Sequence, residues 1–396
     1  MKTMRPAKKG VFQRLNKNVL LLACTSLFSD ISTEMLYPLL PIYLTQYLKV
    51  SGSTLGVIEG SAEAIQNSVQ GISGYFSDKL MRRKPLAIIG YLLSALSKPL
   101  IGIAPTWPAA WAARLTDRLG AGTRSAPRDA LIAGSVTEEN RGMAFGLEGF
   151  GDNLGAFIGP IITVGLFFIV GISIRQVFYL SFIPGLLALL MMLLVKEHKG
   201  ADISSKVSLR LIEFPKTYWR FILLVVVFGL GNSSNAFLIM QIKSHGLSLP
   251  VTIIIYAAYN LVAAIISYPA GALSDKLGRK PLLIAALSIF ATTYAGFALS
   301  SSALVMGGLF ILYGMFQGIF RVMGKAFATD FVLPDKRASA IGWYGTTTGL
   351  SNLIASIVAG LLWDKVGHPA VFLYGAATAL VSISGFILLL PRSSHI

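Results

Sequence analysis

The sequence contains few charged residues for its length. Only 13% of its 396 residues are charged, whereas 54% are hydrophobic; an ordinary soluble domain has about 25% charged residues. The mean hydropathy of +0.67 is higher than a soluble globule of this size could accommodate by burial. We therefore exclude the soluble, disordered, fibrous and disulfide-rich classes and predict a protein that folds in lipid.

Cysteine and histidine are too scarce for two other kinds of site. Cys24 is the only cysteine, which excludes an intrachain disulfide, and the four histidines lack the spacing of metal ligands. We expect neither a metal nor a cofactor. The predicted helices also contain no pairing of a nucleophile with a base, so we expect a protein that is not an enzyme.

Apolar stretches long enough to cross a membrane recur along the whole chain. A helix needs about 20 predominantly apolar residues to span the hydrocarbon layer. Twelve stretches meet this requirement: 18–47, 53–77, 85–104, 107–134, 143–170, 174–195, 219–242, 250–274, 281–300, 303–330, 338–362 and 369–390. We predict an all-α integral membrane protein with twelve transmembrane helices, numbered here 1 to 12.

The net charge of +16 is explained by the loops. When residues at the helix ends are counted with the loops, 23 of the 34 Lys and Arg residues fall on the side of the termini, 4 on the opposite side and 7 well inside predicted helices. The positive-inside rule then predicts that both termini are cytoplasmic, in a bacterial inner membrane. We expect the lipid bilayer, a small molecule and protons as partners, no nucleic acid, and a monomeric protein.

The chain repeats itself at an offset of 197 residues. The segment that begins at Gly74 recurs at Gly271, and a polar, basic segment lies between the copies at 196–218. We predict two six-helix halves, residues 1–195 and 219–396, joined by a cytoplasmic linker at 196–218. Parallel repeats of this kind place a transporter's binding site between the halves.

The repeated segment resembles a motif of the major facilitator superfamily. The pattern G-x-x-x-D-[RK]-x-G-[RK]-[RK] is matched in full from Gly271 to Lys280, and the first copy departs from it at Met81. The resemblance implies two pseudo-symmetric halves and a cytoplasmic latch that holds the N-terminal half against the start of helix 11. A carboxylate is favoured at such a helix start. The implied latch residues are Gly74, Asp78, Arg82, Gly271, Asp275 and Arg279.

A second pattern in helix 5 has two interpretations. The residues from Gly155 to Pro160 resemble the start of a motif found in exporters of the same superfamily, but Thr163 and Val164 stand where a glycine pair should follow. Small residues four positions apart also allow helices to pack closely. The direction of transport therefore stays open.

Ionisable residues inside the predicted helices indicate where chemistry takes place, because they persist in a membrane only when paired or facing water. Pairs four residues apart lie on one helix face, and the helical rise of about 1.5 Å per residue places a charge cluster near the midplane around Arg118. A carboxylic acid held between burial and a guanidinium can take up and release protons near neutral pH. The candidates for proton coupling are Asp30, Glu34, Glu59, Glu63, Glu148 and Asp152. The alternative is a salt-bridge network that only holds helices together.

The cations at greater depth indicate the substrate. Arg side chains can clamp both oxygens of a carboxylate or phosphate, and the same offset of 197 relates two cations on helix 4 to two on helix 10. Pairing with nearby acids to gate the cytoplasmic side is the alternative. Polar residues of helices 7 and 8 are candidates for hydrogen bonds to a solute. The predicted substrate-binding residues are Arg118, Arg124, Arg128, Arg321, Lys325, Asn232, Asn235, Tyr256, Tyr259 and Asn260.

These observations predict a secondary transporter. We expect a proton-coupled protein that works by alternating access and moves a small organic, anionic solute across the inner membrane. Proton-driven efflux of drugs or metabolites is one alternative, which the partial motif in helix 5 favours. A membrane sensor that does not transport is an alternative from another class.

Overall fold

The computed structural model describes residues 16–80, 82–137, 141–197, 214–332 and 337–390. It is 88% helical, and the described residues contain no strand. The all-α class predicted from the sequence is confirmed.

The first half consists of six helical segments. They are helix 1 (Lys17–Leu36, continued by Leu40–Ile42 and a π-helical turn at Tyr43–Tyr47), helix 2 (Gly52–Leu80), helix 3 (Arg83–Ile103), helix 4 (Trp107–Gly134), helix 5 (Arg141–Gly165 with a π-helical turn at Leu166–Val170) and helix 6 (Ile174–Leu180 and Phe182–Leu194). We call the end of the bundle at Lys17 the terminal end and the opposite end the distal end.

The second half repeats this order. It contains helix 7 (Lys216–Gly229 and Asn235–Ser244), helix 8 (Leu249–Leu277), helix 9 (Arg279–Leu299), helix 10 (Ala303–Asp330), helix 11 (Arg337–Lys365) and helix 12 (His368–Leu389). Helix 1 packs on helices 5 and 6, helix 2 on helix 4, and helix 3 on helices 4 and 6; the corresponding pairs six helices later are also in contact. The internal repeat is therefore present in the packing.

Among the described residues, nine stretches are apolar and long enough to cross a membrane. Helices 2, 4 and 7 are not among them, because helices 2 and 4 carry several ionisable side chains and helix 7 is interrupted. The predicted count of twelve crossings is consistent with this arrangement.

Three helices predicted as continuous are interrupted: helix 6 at Ser181 alone, and helices 1 and 7 over several residues. Helix 1 is interrupted after Leu36, where Pro38 and Pro41 lack the N–H groups that a continuous helix needs. Helix 7 was expected to be unbroken at 219–242, but it stops at Gly229 and resumes at Asn235, where the Ser234 side chain accepts a hydrogen bond from the Ala236 N–H at 3.3 Å. Both breaks lie where helices 1 and 7 approach the contact between the halves.

Candidate functional site

A cavity of about 220 Å³ lies between the two halves. Helices 1, 4 and 5 of the first half and helices 7, 8 and 10 of the second contribute to its walls. Of its sixteen lining residues, thirteen have polar or charged side chains. They are Asp30, Glu34, Tyr37, Arg118, Asp152, Asn153, Asn235, Tyr256, Tyr259, Asn260, Ser267, Gln317 and Arg321, accompanied by Ala156, Ala263 and Gly318.

Hydrogen bonds cross the cavity between the halves. The Tyr256 hydroxyl on helix 8 donates to the Glu34 Oε2 atom on helix 1 at 2.8 Å. The Asn260 side-chain amide, one turn further along helix 8, donates to the Ala156 carbonyl oxygen on helix 5 at 3.2 Å. A carboxylate of the first half is thus connected directly to the second half.

Charges of opposite sign face each other in this cavity without close pairing. Arg321 Nη2 lies 4.0 Å from Asp152 Oδ2, and 64% of the Arg321 side chain is exposed. The Asp152 Oδ1 atom is buried without a hydrogen bond, although Arg128 Nη1 lies 3.6 Å from it. Asp30 lines the same cavity, and no described side chain forms an ion pair with it. The exposed guanidinium indicates that the cavity opens toward the terminal end.

Next to the cavity, a compact charge network is buried in the first half. Asp117 accepts hydrogen bonds from Lys98 Nζ at 2.8 Å and from Arg114 Nη1 at 3.2 Å, and it forms an ion pair with Arg118 Nη2 at 3.0 Å. Arg114 also binds both carboxylate oxygens of Glu59, at 3.1 and 2.9 Å. Every charge of this network has an opposite partner, as buried ions require.

The other predicted proton-coupling residues lie outside the cavity. Glu148 forms an ion pair with Arg128 Nη2 and accepts a hydrogen bond from the Ser26 hydroxyl, both at 2.9 Å. Glu63 on helix 2 faces Asn352 on helix 11. The cavity therefore brings together three of the six acids, Asp30, Glu34 and Asp152, and the assignment of proton coupling stays a prediction.

Several predicted substrate-binding residues also lie elsewhere. The Arg124 guanidinium packs over the Tyr91 ring, with 4.6 Å between its Cζ atom and the ring centroid. Asn232 accepts a hydrogen bond from the Tyr313 hydroxyl at 3.3 Å. Arg128 pairs with acids of helices 4 and 5, and Lys325 is exposed beside the cavity. Arg118, Arg321, Asn235, Tyr256, Tyr259 and Asn260 are the predicted residues that line the cavity.

Seven lining residues were not predicted, and four of them are polar: Tyr37, Asn153, Ser267 and Gln317. For three of these four, the position relative to a predicted residue contains the signal. Tyr37 lies three residues after Glu34, and Gln317 four residues before Arg321, so each shares a helix face with a predicted residue. Asn153 directly follows Asp152. The Tyr37 ring stacks on the Tyr256 ring with centroids 5.5 Å apart.

The distal end is closed by contacts between helices 2 and 11. The Asp364 carboxylate at the end of helix 11 accepts from the Gly52 and Ser53 N–H groups at the start of helix 2, both at 2.8 Å. A β-carbon at Gly56 would overlap the Ser356 carbonyl oxygen, so only glycine allows this close approach. The two halves are therefore in direct contact at the end opposite the cavity opening.

Cations in and directly after the repeated motif donate hydrogen bonds to carbonyl groups near helix C-termini. Arg83 Nη1 donates to Ala130 O at 3.4 Å and Arg279 Nη1 to Ala326 O at 2.6 Å. In the same way, Lys84 Nζ donates to Leu193 O at 2.9 Å and Lys280 Nζ to Leu390 O at 2.6 Å. Cations favour the last carbonyl groups of a helix, so these residues stabilise helix ends within each half.

These equivalent contacts are 196 residues apart, one fewer than the offset of 197. Helix 8 ends at Leu277 and helix 9 begins at Arg279, so Gly278 alone makes the turn, with φ of +82°, which favours glycine. Helix 2 ends at Leu80 and helix 3 begins at Arg83, so two residues join them.

The latch itself is only partly described. Gly74 and Gly271 lie in the last turns of helices 2 and 8, and Arg82 immediately precedes helix 3. The side chains of Asp78 and Asp275 lie outside the described residues, as do those at 337–339, so the latch stays a prediction.

The glycines of helix 5 contact helix 1. A β-carbon at Gly155 would lie 2.5 Å from the Leu27 carbonyl oxygen, and one at Gly159 would lie 2.8 Å from the Ile31 carbonyl oxygen. Of the two interpretations of this segment, close helix packing is the one that these contacts support. The packing holds Asp30 and Glu34 against helix 5.

Comparison with known proteins now gives the family. The family model described as Major Facilitator Superfamily matches residues 22–248 and 221–395. The chain belongs to the major facilitator superfamily. It is 35% identical over 389 residues to an uncharacterised MFS-type transporter of Methanocaldococcus jannaschii, covering 95% of both chains. It is also 23% identical to the quinolone resistance protein NorA of Staphylococcus aureus, covering 96% of this chain and 98% of that protein.

The fold has counterparts among solved structures. A mutant of the nucleoside transporter NupG superposes with a TM-score of 0.78 at 16% identity, covering 93% of this chain and 99% of that chain. The likeness to NupG concerns the fold. Membership of the superfamily, together with the 35% identical relative, shows that the chain is a transmembrane transporter and not an enzyme.

Proposed function

We propose that this transporter is proton-coupled and moves a small, hydrophilic solute with an acidic group by alternating access, in an inner membrane with both termini cytoplasmic. The observation that carries the proposal is the 2.8 Å hydrogen bond between Tyr256 and Glu34. It connects an ionisable group at the cavity directly to the opposite half, so a change in the charge of Glu34 acts on the contact between the halves.

The state of the Arg321 side chain is the reason to propose that the solute has an acidic group. Its side chain is largely exposed, and its ion pair to Asp152 is as long as 4.0 Å. A guanidinium in this condition can bind a carboxylate through two N–H groups. Arg118 is less available, because it already contacts Asp117 at 3.0 Å and Gln66 at 2.9 Å.

The lining of the cavity favours a hydrophilic solute over a lipophilic drug. Drug-sized pockets measure about 300–1,000 Å³ and are mostly apolar, whereas this cavity measures about 220 Å³ and only Ala156, Ala263 and Gly318 contribute no polar side chain. The likeness to NorA supports proton-driven efflux as the second candidate. A pool of lipophilic cations therefore belongs in the test.

The test is proton movement in liposomes that contain the purified protein and an internal pH indicator. Pools of small carboxylates, phosphates and lipophilic cations are added outside. We expect a pH change that depends on a carboxylate solute. In the Glu34→Gln variant, solute exchange between the two sides should continue while the pH change is lost, because the variant binds solute but carries no exchangeable proton.

Asp129→Asn is the matched control, since Asp129 lies outside the cavity and 42% of its side chain is exposed. It should behave as the unmodified protein. A full solute-dependent pH change in Glu34→Gln would contradict the role of Glu34. A pH change with lipophilic cations alone would contradict the acidic solute and favour proton-driven efflux.

A further inference from the structure

We propose that the transported solute is a small zwitterion, with its anionic group on Arg321 and its cationic amino group on Asp152, in a cavity that Asp30 also lines. This inference rests on the transporter function proposed above and names the substrate class of the same cavity. It adds a cationic group to the solute, which the exposed guanidinium alone does not require.

Acidic side chains outnumber basic ones in the wall of the cavity. Three carboxylates line it, on Asp30, Glu34 and Asp152, against two guanidiniums. Arg118 is already bound to Asp117, which belongs to the buried network. A solute that brought only negative charge would therefore meet one available cation and three acids.

Arg321 and Asp152 form only a loose ion pair. Their closest N–O distance is 4.0 Å, the outer limit of an ion pair, and the buried Asp152 Oδ1 atom has no hydrogen-bond partner. Both groups therefore keep unused hydrogen-bonding capacity toward the cavity. The Oδ1 atom is closed off from solvent on the side of Arg128. An ammonium group would therefore reach Asp152 through Oδ2, the oxygen that lies beside Arg321.

A bound solute takes the place of the counter-charge that Arg321 and Asp152 give each other. A simple anion that takes Arg321 leaves Asp152 with only the 3.6 Å contact to Arg128. A simple amine that takes Asp152 leaves Arg321 without its acid. A zwitterion replaces both partners at once, so neither Arg321 nor the largely buried Asp152 loses its counter-charge.

Size and the remaining lining agree with such a solute. A cavity of about 150 Å³ holds benzene, so about 220 Å³ accommodates a solute of roughly the size of an amino acid. The side-chain amides of Asn153, Asn260 and Gln317 add donors and acceptors beside the charged groups.

One competing arrangement uses the same residues. An anion could bind Arg321 while a proton neutralises Asp152, which needs no amino group on the solute. The two arrangements differ in what Asp152→Asn does. Loss of the charge imitates the proton and would leave the affinity for the anion intact, whereas a bound ammonium group would lose its partner.

The test is binding to the purified, detergent-solubilised full chain, measured as thermal stabilisation and by calorimetry. Each probe set contains an α-amino acid, the carboxylic acid that lacks its amino group, and the amine that lacks its carboxyl group, for side chains of graded size. We expect at least one amino acid to bind about tenfold or more tightly than both of its single-charge analogues.

Two variants should each remove one part of this preference, the part due to the amino group or the part due to the carboxyl group. Asp152→Asn should weaken the binding of the amino acid until its affinity is within a fewfold of that of the deaminated acid. Arg321→Gln should likewise bring the affinity for the amino acid within a fewfold of that for the amine. Asp129→Asn is the control and should keep the full preference. Agreement of all three supports the assignment of both charged groups.

Three results would overturn the inference. They are equal binding of the amino acid and its deaminated analogue, binding by no amino acid in any set, and an unchanged preference in Asp152→Asn. If deaminated acids alone bind and also move protons in liposomes, the proposed function stands and the zwitterion is wrong. If no solute moves protons, the proposed function itself is wrong.

Discussion

At the scale of single residues, Glu59 and Arg114 allow the two interpretations of the buried charges to be separated. Glu59 holds Arg114 through two hydrogen bonds of 3.1 and 2.9 Å, and both side chains are almost fully buried. Removing one partner of such a pair costs about 3–5 kcal/mol. We expect Glu59→Gln to lower the apparent melting temperature of the purified protein by several degrees.

The matched control for this experiment is again Asp129→Asn. The Asp129 side chain is 42% exposed, and an ion pair at a solvated carboxylate contributes only about 0–1 kcal/mol. Arg128 also keeps its ion pair with Glu148, so this variant should melt close to the unmodified protein. If Glu59→Gln melted normally but lost solute-dependent proton movement, Glu59 would be a coupling residue and the structural interpretation of the network would be wrong.

At the scale of helices, Gly155 decides how closely helix 5 approaches helix 1. A β-carbon there would lie 2.5 Å from the Leu27 carbonyl oxygen and 2.9 Å from the Asp30 Cβ atom. Overpacking of this kind costs about 1–3 kcal/mol. We expect Gly155→Ala to lower the apparent melting temperature and to weaken transport, because it displaces helix 1 and the acids it carries.

Gly149→Ala on the same helix is the comparison, since a β-carbon at Gly149 meets nothing within 4 Å. Alanine favours a helix by up to about 1 kcal/mol over glycine, so this variant should be as stable as the unmodified protein or slightly more stable. Equal melting temperatures for the two variants would show that the packing of helices 1 and 5 tolerates a methyl group.

The helices themselves differ in how far their bounds could be predicted. Helices 9 and 12 were predicted at 281–300 and 369–390 and observed at Arg279–Leu299 and His368–Leu389, because a long apolar run leaves little choice of bounds. The break in helix 7 was missed. Hydropathy does not register it, since the residues on both sides are mostly apolar, and Gly229, Gly231 and the capping Ser234 mark it.

At the scale of the whole molecule, the repeat could be predicted and the pairing of charges could not. Spacing along a helix correctly placed Asp30 and Glu34 on one face, and both line the cavity. It also put Arg118 at the centre of the buried cluster, where the structure has Asp117, in contact with Lys98 and Arg114. The partners of a charge depend on how neighbouring helices are rotated, which the sequence of one helix does not contain.

The contact between the halves at the distal end gives a prediction about the whole molecule. Asp364 accepts two backbone N–H groups of helix 2 from the end of helix 11 and so fills the role of an N-terminal cap from the opposite half. Loss of a capping side chain costs about 0.5–2 kcal/mol. If alternating access opens this end, Asp364→Ala should raise the population of the open form by roughly 2- to 30-fold.

The rate of cysteine labelling measures this population. Ser356, on helix 11, is fully buried against Gly56 of helix 2, so a cysteine placed there by Ser356→Cys reacts with a membrane-impermeant maleimide only when the distal end opens. Cys24 is first replaced by serine, since it is the only native cysteine.

We expect faster labelling of Ser356→Cys when Asp364→Ala is also present, and an unchanged rate with Lys365→Ala, which removes an exposed charge from the neighbouring position. Equal rates for the two substitutions would mean that the close contact at Gly56 holds the distal end shut without Asp364. In that case the cap would stabilise only the start of helix 2, and the energy that separates the two forms would come from the packing of helices 2 and 11.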